Sequence, residues 1–248
     1  MKDFAHQYIT AVTALLHRID EEESQAIQDA ASLLADAIEN GARIFGFGCT
    51  HSSLPIQDLA YRAGGLMLIN PILAPGISCL DVRPATMTSA IERLEGYAEI
   101  LLDNKPIQRG DVLIVVSMSG RNPVPVEMAM LAQERGINVI GVTAIEYTQQ
   151  VPSRHPSGRK MYEYADVVID TKVPPGDALL EADGVPAHFS PASGVATTAT
   201  LQALVAATIE ELLARGITPP VFVSGNVPGG EEHNRELIER YGDRVFYL

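Results

Sequence analysis

Apolar positions along the chain fall into two kinds of run, continuous and periodic. Continuous runs of aliphatic and β-branched residues stand at Val112 to Val116 (VLIVV), Asn138 to Thr143 (NVIGVT) and Ala165 to Thr171 (ADVVIDT). Shorter ones stand at Arg43 to Phe47 and Leu66 to Ile69. Runs of this kind read as strands buried on both faces. Between them the apolar spacing changes to three and four. Ile27, Ala30, Ala31, Leu34 and Ile38 repeat at helical spacing before Gly41, and Phe4, Ile9, Val12, Leu15, Leu16 and Ile19 form another apolar face. The pattern predicts two N-terminal helices, 3–18 and 20–40. It predicts further helices from about Leu54 to Ala63, over Ser89 to Asn104, Pro123 to Arg135, about Ala192 to Arg215, and Arg235 to Arg240. Asp183-Gly184, between short extended pieces, predicts a hairpin turn within 178–189. VFVSG, after Pro219-Pro220, predicts a sixth strand. Strands alternating regularly with helices mean an α/β fold, a parallel sheet with helices on both faces in a three-layer αβα sandwich.

The chemistry gathers where strands stop. The run Val112 to Val116 ends in Ser117, Met118, Ser119 and Gly120, and a helix opens near Pro123. A Ser/Gly loop feeding a helix N-terminus offers hydroxyls, backbone N–H groups and a positive dipole end to an anion, phosphate above all. An ordinary strand-to-helix turn has the same composition, and spacing alone leaves the two readings even. GFGCTHSS, Gly46 to Ser53, is the turn after the first strand. Gly46-Phe47-Gly48 raises a dinucleotide site, but that fingerprint needs a third glycine where His51 stands and an acid at the end of the next strand, which instead ends at Asn70-Pro71. No nucleotide cofactor is expected, and no metal.

Ser89-x-x-Glu92 has the form of a capping box, which gives Glu92 a structural role and leaves Glu95, one turn on, without one. SRHPSGRK, Ser153 to Lys160, concentrates Arg154, His155, Arg159 and Lys160. It could draw an anionic ligand or simply pair with acidic neighbours.

Charge narrows the partners. The 248 residues carry 18 basic and 31 acidic side chains, a formal charge of −13, which argues against nucleic acid and against an anionic membrane. Two cysteines, Cys49 and Cys79, have neither disulfide-framework nor metal-ligand spacing and fit a reduced, cytoplasmic setting. The N-terminal residues lack a signal-peptide pattern, and no apolar run approaches the roughly 20 residues that span a bilayer.

With both strand-end loops in view, the sequence resembles the sugar isomerase (SIS) family of phosphosugar-binding domains, and within it a UPF0309-like bacterial branch of about this length. GCTHS, Gly48 to Ser52, looks like that family's G-x-G-x-S turn, and SMSGRN, Ser117 to Asn122, like its S-x-S-G-x-[ST/N] loop. THSS…YRAGGL, AIERLEGYAE, SRHPSG, ADVVID and SGNVPGGEEHN carry the likeness across nearly the whole chain. The resemblance implies a flavodoxin-like, five-stranded parallel sheet and usually a homodimer, and the 192–215 helix or the N-terminal helices, which present more apolar surface than one sheet face needs, are the expected interface. It also implies an N-terminal helical region at 1–30, the SIS domain at 31–214, and a C-terminal extension at 215–248 on the same domain. Ser52, Ser53, Ser117, Ser119, Gly120, Arg121 and Asn122 would then hold a sugar phosphate. Two positions depart from the pattern. Thr50 stands where the first motif has its second glycine, and Arg62 stands where the family's isomerases and etherases carry a catalytic Glu.

Aldose–ketose isomerisation needs a base beside the carbonyl and a second proton-transfer group. The expected base is Glu95, with Asp58 in reserve, His51 or His233 assisting, and Arg62 pairing with a substrate anion or with Glu95. His155 is a further candidate. A non-catalytic phosphosugar sensor, or a lyase or etherase, stays open beside the isomerase.

Overall fold

The computed structural model describes residues 3–79 and 81–248. Its frame is a sheet of five parallel strands: β1 (Ile44–Gly48), β2 (Ile69–Pro71), β3 (Val112–Val116), β4 (Asn138–Thr143) and β5 (Val167–Asp170). Their order across the sheet is β2-β1-β3-β4-β5. β1 and β3 are buried at every position, as expected of continuous apolar runs covered on both faces.

One face carries α1 (Phe4–Glu39), α2 (Ser53–Leu59) and α7 (Ser193–Ala214), packed on Ile44, Ile114, Val116, Ile140 and Val142. The other carries α4 (Tyr97–Asp103), α5 (Pro123–Glu134) and a 3₁₀ turn at Met161–Tyr164, packed on Phe45, Phe47, Leu113, Val115 and Val139. Shorter pieces complete the chain: α3 (Thr86–Ile91), α6 (Ile145–Gln150), the antiparallel pair β6 (Ala178–Leu180) and β7 (Phe189–Pro191), and α8 (Gly230–Tyr241). The hairpin expected around Asp183-Gly184 is that pair.

Several expected boundaries moved, each for a visible reason. The two N-terminal helices are one helix of 36 residues. The acidic run after Ile19 contains no Gly or Pro, and Arg18 reaches Glu22 one turn on at 2.9 Å, so nothing breaks the backbone there. Conversely, the helix expected over Ser89 to Asn104 is two. Gly96 sits in the left-handed region at φ 80, and its N–H is taken by both carboxylate oxygens of Glu127 at 3.0 and 2.9 Å. The capping box therefore does not form: Ser89 lies inside α3 and Glu92 closes it.

The second strand is displaced onto Ile69–Pro71 because Asn70 belongs in it. Its buried amide donates to the carbonyls of Ile44 and Arg244, each at 3.0 Å, and its oxygen accepts the Phe246 N–H at 2.7 Å. The expected sixth strand is not part of the sheet. Val221 makes only an isolated bridge to Leu66, beside paired backbone bonds between Phe222 and Gly64-Gly65. The apolar surfaces of α1 and α7 pack largely on each other and on the sheet, which accounts for much of what had suggested a partner protomer.

The strand order matters for function. From β1 the chain moves outward one way to β2, and from β3 it moves the other way to β4 and β5. The connections leaving β1 and β3 therefore diverge, and a crevice opens between the carboxyl ends of these neighbours.

Candidate functional site

A cleft of about 670 Å³ occupies that crevice. The loop after β1 forms one wall and the loop after β3 another, with Glu92, Tyr147 and the start of α7 around them.

The first loop is a tight turn. A Cβ on Gly48 would lie 2.2 Å from the Ser52 carbonyl oxygen, so only glycine lets the turn close. Thr50, which replaces a glycine of the motif, sits at φ 52, a region that β-branched residues rarely enter. Three bonds hold it there. Its N–H donates to Ile77 at 2.6 Å, and its carbonyl accepts the Ser53 N–H at 3.0 Å and the Ser53 hydroxyl at 2.7 Å. Ser53 is thus a brace, which also accepts the Cys79 N–H at 3.2 Å, and does not line the cleft. Ser52 and His51 do line it, and the Ser52 hydroxyl bonds to no group among the described residues.

In the second loop the carbonyls face protein. Met118 O accepts from the Ala144 N–H and from the Thr143 and Thr148 hydroxyls, Gly120 O from the Met161 N–H, and Arg121 O from the Arg154 N–H. The N–H groups of Met118 through Asn122 meet no acceptor among the described residues, nor do the hydroxyls of Ser117 and Ser119. Unengaged amides and hydroxyls on one loop make an anion-binding concavity.

The α5 N-terminus adds less than expected. Pro123 and Pro125 have no N–H, and the Val124 N–H is taken by the Glu92 carbonyl at 3.2 Å. The helix supplies a dipole, and the loop supplies the donors. The N-terminus of α7 is taken in part, and its Gly194 and Val195 N–H groups, at the cleft, meet no acceptor among the described residues. Asp177 accepts the Ala192 and Ser193 N–H groups at 3.1 and 2.7 Å and the Ser193 hydroxyl at 2.6 Å.

Among the described residues the lining contains two carboxylates, Glu92 and Asp177. Burial raises the Glu92 pKa above the usual carboxylate range, against the lowering effect of an Asn122 hydrogen bond and of Arg93 and Arg154. Cys49 also lines the cleft, with burial pushing its thiol well up.

Of the residues expected from sequence, the structure brings Ser52, Ser117, Ser119, Asn122 and His51 to the cleft. Gly120 and Arg121 belong to the second loop but are not among the residues lining the cleft. Glu95 is exposed in the turn after α3, because the break at Gly96 leaves Glu92, and not Glu95, on the cleft wall. Asp58 pairs with Arg62 and accepts from Gln202 at 3.1 Å, so Arg62 neither meets Glu95 nor enters the cleft. His233 lies on α8 with a ring nitrogen 3.0 Å from the Val221 carbonyl, outside the cleft. His155 is buried against Glu127 at 3.7 Å.

Sequence reasoning missed Glu92 by giving it to a cap, although Gly96 within the supposed helix was a signal of the break. It gave Asp177 no role. Among the described residues no cluster of His, Cys, Asp or Glu could hold a metal ion, and no helix is long and apolar enough to cross a membrane.

The family model described as the SIS domain matches residues 7–144. The UPF0309 protein SCO4393 of Streptomyces coelicolor is 49% identical over 243 residues, 98% of this chain and 97% of that one. The UPF0309 protein OB3413 of Oceanobacillus iheyensis is 42% identical over 99% of both chains. Among solved structures, the phosphoheptose isomerase GmhA of Neisseria gonorrhoeae superposes with a TM-score of 0.54 at 16% identity, over 86% of this chain and 98% of that one. The sugar isomerase domain of an RpiR transcription factor from Sphaerobacter thermophilus gives 0.51 at 16% identity, over 98% and 99%. These structural likenesses concern the fold.

Proposed function

The chain belongs to the SIS domain family and, within it, to the UPF0309 proteins, and from that premise we propose that it is a sugar-phosphate aldose–ketose isomerase. The observation that carries the proposal is the meeting, in one switch-point cleft, of free donors with a desolvated carboxyl. The donors are the 118–122 amides and the Ser52, Ser117 and Ser119 hydroxyls; the carboxyl is Glu92. In this reading the phosphate occupies the loop after β3 and the open-chain sugar extends along the cleft. Glu92 takes the proton from the carbon beside the carbonyl, giving an enediol, and returns it to the former carbonyl carbon. A carboxylate whose pKa is raised by burial is a better base near neutral pH than an exposed one. His51 is assigned proton transfer between the two sugar oxygens. The expected cytoplasmic location and homodimeric assembly belong to the same proposal.

A second reading is a phosphosugar sensor, because the fold is shared with a transcription factor's sugar isomerase domain. A proton-exchange experiment separates the two. A panel of aldose and ketose phosphates is screened by calorimetry, and each ligand that binds is incubated with protein in deuterated water. An isomerase incorporates deuterium beside the carbonyl, and Glu92→Gln slows this by about a hundredfold or more, within the usual range for general bases. Ser119→Ala weakens binding about ten- to a hundredfold, the worth of one hydrogen bond to a charged group. Binding without exchange by the wild type would favour the sensor. Binding of no phosphosugar would sink both.

A further inference from the structure

Beside the Glu92–Asn122 wall of the cleft, three arginines from three separate segments stand together with no carboxylate at ion-pair distance among the described residues, Glu92 being near enough only to feel the charges of Arg93 and Arg154. Arg93 follows Glu92 in the turn after α3, Arg121 is in the loop after β3, and Arg154 is in the segment between α6 and the 3₁₀ turn. Backbone and side-chain bonds tie these segments to one another. Val124 N–H donates to Glu92 O at 3.2 Å and Arg154 N–H to Arg121 O at 2.8 Å, while Arg154 Nη1 donates to Asn122 Oδ1, also at 2.8 Å.

Many other cations of the chain are paired, and Arg43 and Arg244, unpaired among the described residues, reach backbone carbonyls. Arg18, Arg62, Arg135, Arg159, Arg215 and Arg235 each lie within ion-pair distance of a carboxylate. Lys160, in the same segment as Arg154, spends its ammonium on the carbonyls of Thr148 and Val151. Among the described residues Arg93, Arg121 and Arg154 form no ion pair, and Arg121 Nε is buried with no hydrogen-bond partner at all. Burial, with the like charges of Arg121 and Arg93, holds the Arg154 guanidinium below its usual range. In a chain with 31 acidic and 18 basic residues, carboxylates to neutralise such a cluster are plentiful. Guanidinium forks left mutually repelling, one of them with an orphaned buried N–H, are complementary to a planar or tetrahedral anion.

We propose that Arg93, Arg121 and Arg154 form a second anion subsite at the Glu92–Asn122 edge of the cleft, and that the ligand is a sugar phosphate bearing a second anionic group. The inference rests on the phosphosugar reading above. One anion is held by the neutral donors of the loop after β3. The other is held by the arginines, so that the sugar carbons between them pass Glu92. The second group is a phosphate or a carboxylate, which the guanidinium fork accepts alike.

The test is calorimetry on the full-length protein with matched probes. Glucose 6-phosphate is compared with 6-phosphogluconate, which adds a carboxylate, and fructose 6-phosphate with fructose 1,6-bisphosphate, which adds a phosphate. The expected result is a preference of about tenfold or more for the two-anion member of at least one pair. The pair that shows it names the second group. In Arg93→Gln and Arg154→Gln the ratio within that pair falls toward one, whereas Ser119→Ala lowers both members and keeps the ratio. Arg93 makes no side-chain hydrogen bond among the described residues, so Arg93→Gln removes charge without removing a structural contact. Equal affinity within both pairs for the wild type overturns the subsite and leaves the phosphosugar reading standing. A preference that survives both arginine substitutions also overturns it. If neither the monophosphates nor the two-anion sugars bind, the phosphosugar reading itself has failed.

Discussion

Replacing Thr50 by glycine should leave the protein as stable as the wild type or more so, although the residue is half-buried in the cleft wall. Thr50 holds φ 52, and the left-handed region costs a residue with a Cβ about 1–2 kcal/mol relative to the right-handed one. Glycine removes that term and adds about 0.4–1 kcal/mol of unfolded-state entropy. The three bonds that pin the position are all made by its backbone, and its hydroxyl bonds to nothing among the described residues, so no hydrogen bond is lost. The net change is a gain of about 0–1.5 kcal/mol, which in a chain of this size raises the thermal midpoint by up to about 6 °C. Thr50→Ala is the control. Alanine keeps the Cβ in the left-handed region and should relieve nothing. Thermal and urea unfolding of the three proteins at one pH decides the matter. A Thr50→Gly midpoint clearly below that of Thr50→Ala would refute the reasoning, because it would mean that a Cβ at this position costs less than the backbone freedom glycine adds to the unfolded chain.

The Glu92 carboxyl couples stability to pH with a definite sign. Its folded pKa is raised by burial, so its contribution is complete below the unfolded value of about 4.3 and is lost as pH rises through the folded value. Glu92→Gln should therefore gain stability relative to wild type as pH rises from 4 toward 8, read as the difference in urea midpoints, and a difference constant across that range would contradict the assignment. Asp177→Ala strips three bonds from the start of α7 and should lower stability by about 1–2 kcal/mol, the usual worth of a helix cap, measured by urea unfolding at pH 7. An unchanged midpoint would mean that water replaces the carboxylate without loss.

The sheet was readable because its strands are buried on both faces and so appear as unbroken apolar runs. β3 and β4 fell where those runs predicted. The second strand was misplaced because its middle residue is a buried Asn, whose hydrogen bonds to Ile44, Arg244 and Phe246 lie up to 176 residues away in sequence. No local pattern announces such partners. The donor side of the site was only half readable: Ser and Gly after a buried strand suit an ordinary turn equally well, and that the hydroxyls of Ser117 and Ser119 and the 118–122 amides stay unengaged is visible only in the structure. The carboxyl side was not readable. Whether Glu92 or Glu95 reaches the cleft depends on a break at Gly96, and that break is held by Glu127, 31 residues on. Asp58 and Arg62 were drawn into the site by sequence spacing from Ser52, but α2 ends at Leu59 and their mutual ion pair keeps them out of the cleft.

The same geometry decides how an anion is held. Of the two long helices that open onto the cleft, α5 has its N-terminus disabled by two prolines and the Glu92 carbonyl, whereas α7 gives the Ala192 and Ser193 N–H groups to Asp177 and keeps those of Gly194 and Val195 without an acceptor among the described residues. A phosphate bound by helix N–H groups would therefore meet the start of α7 and not that of α5. Free as well is the five-residue run of amides after Ser117, whose carbonyls are fastened to Thr143, Thr148, Met161 and Arg154. Those fastenings come from β4, α6 and the segment before β5, so the shape of the donor loop depends on the half of the sheet beyond the switch point. The first half supplies Ser52 and His51 on a turn closed by Gly48 and strained at Thr50. Glu92 joins the two halves, because its carbonyl caps α5 while its side chain borders the cleft. A shift at Gly96 would therefore move the proposed base and the donor loop after β3 together, which couples the position of the carboxylate to that of the proposed anion site.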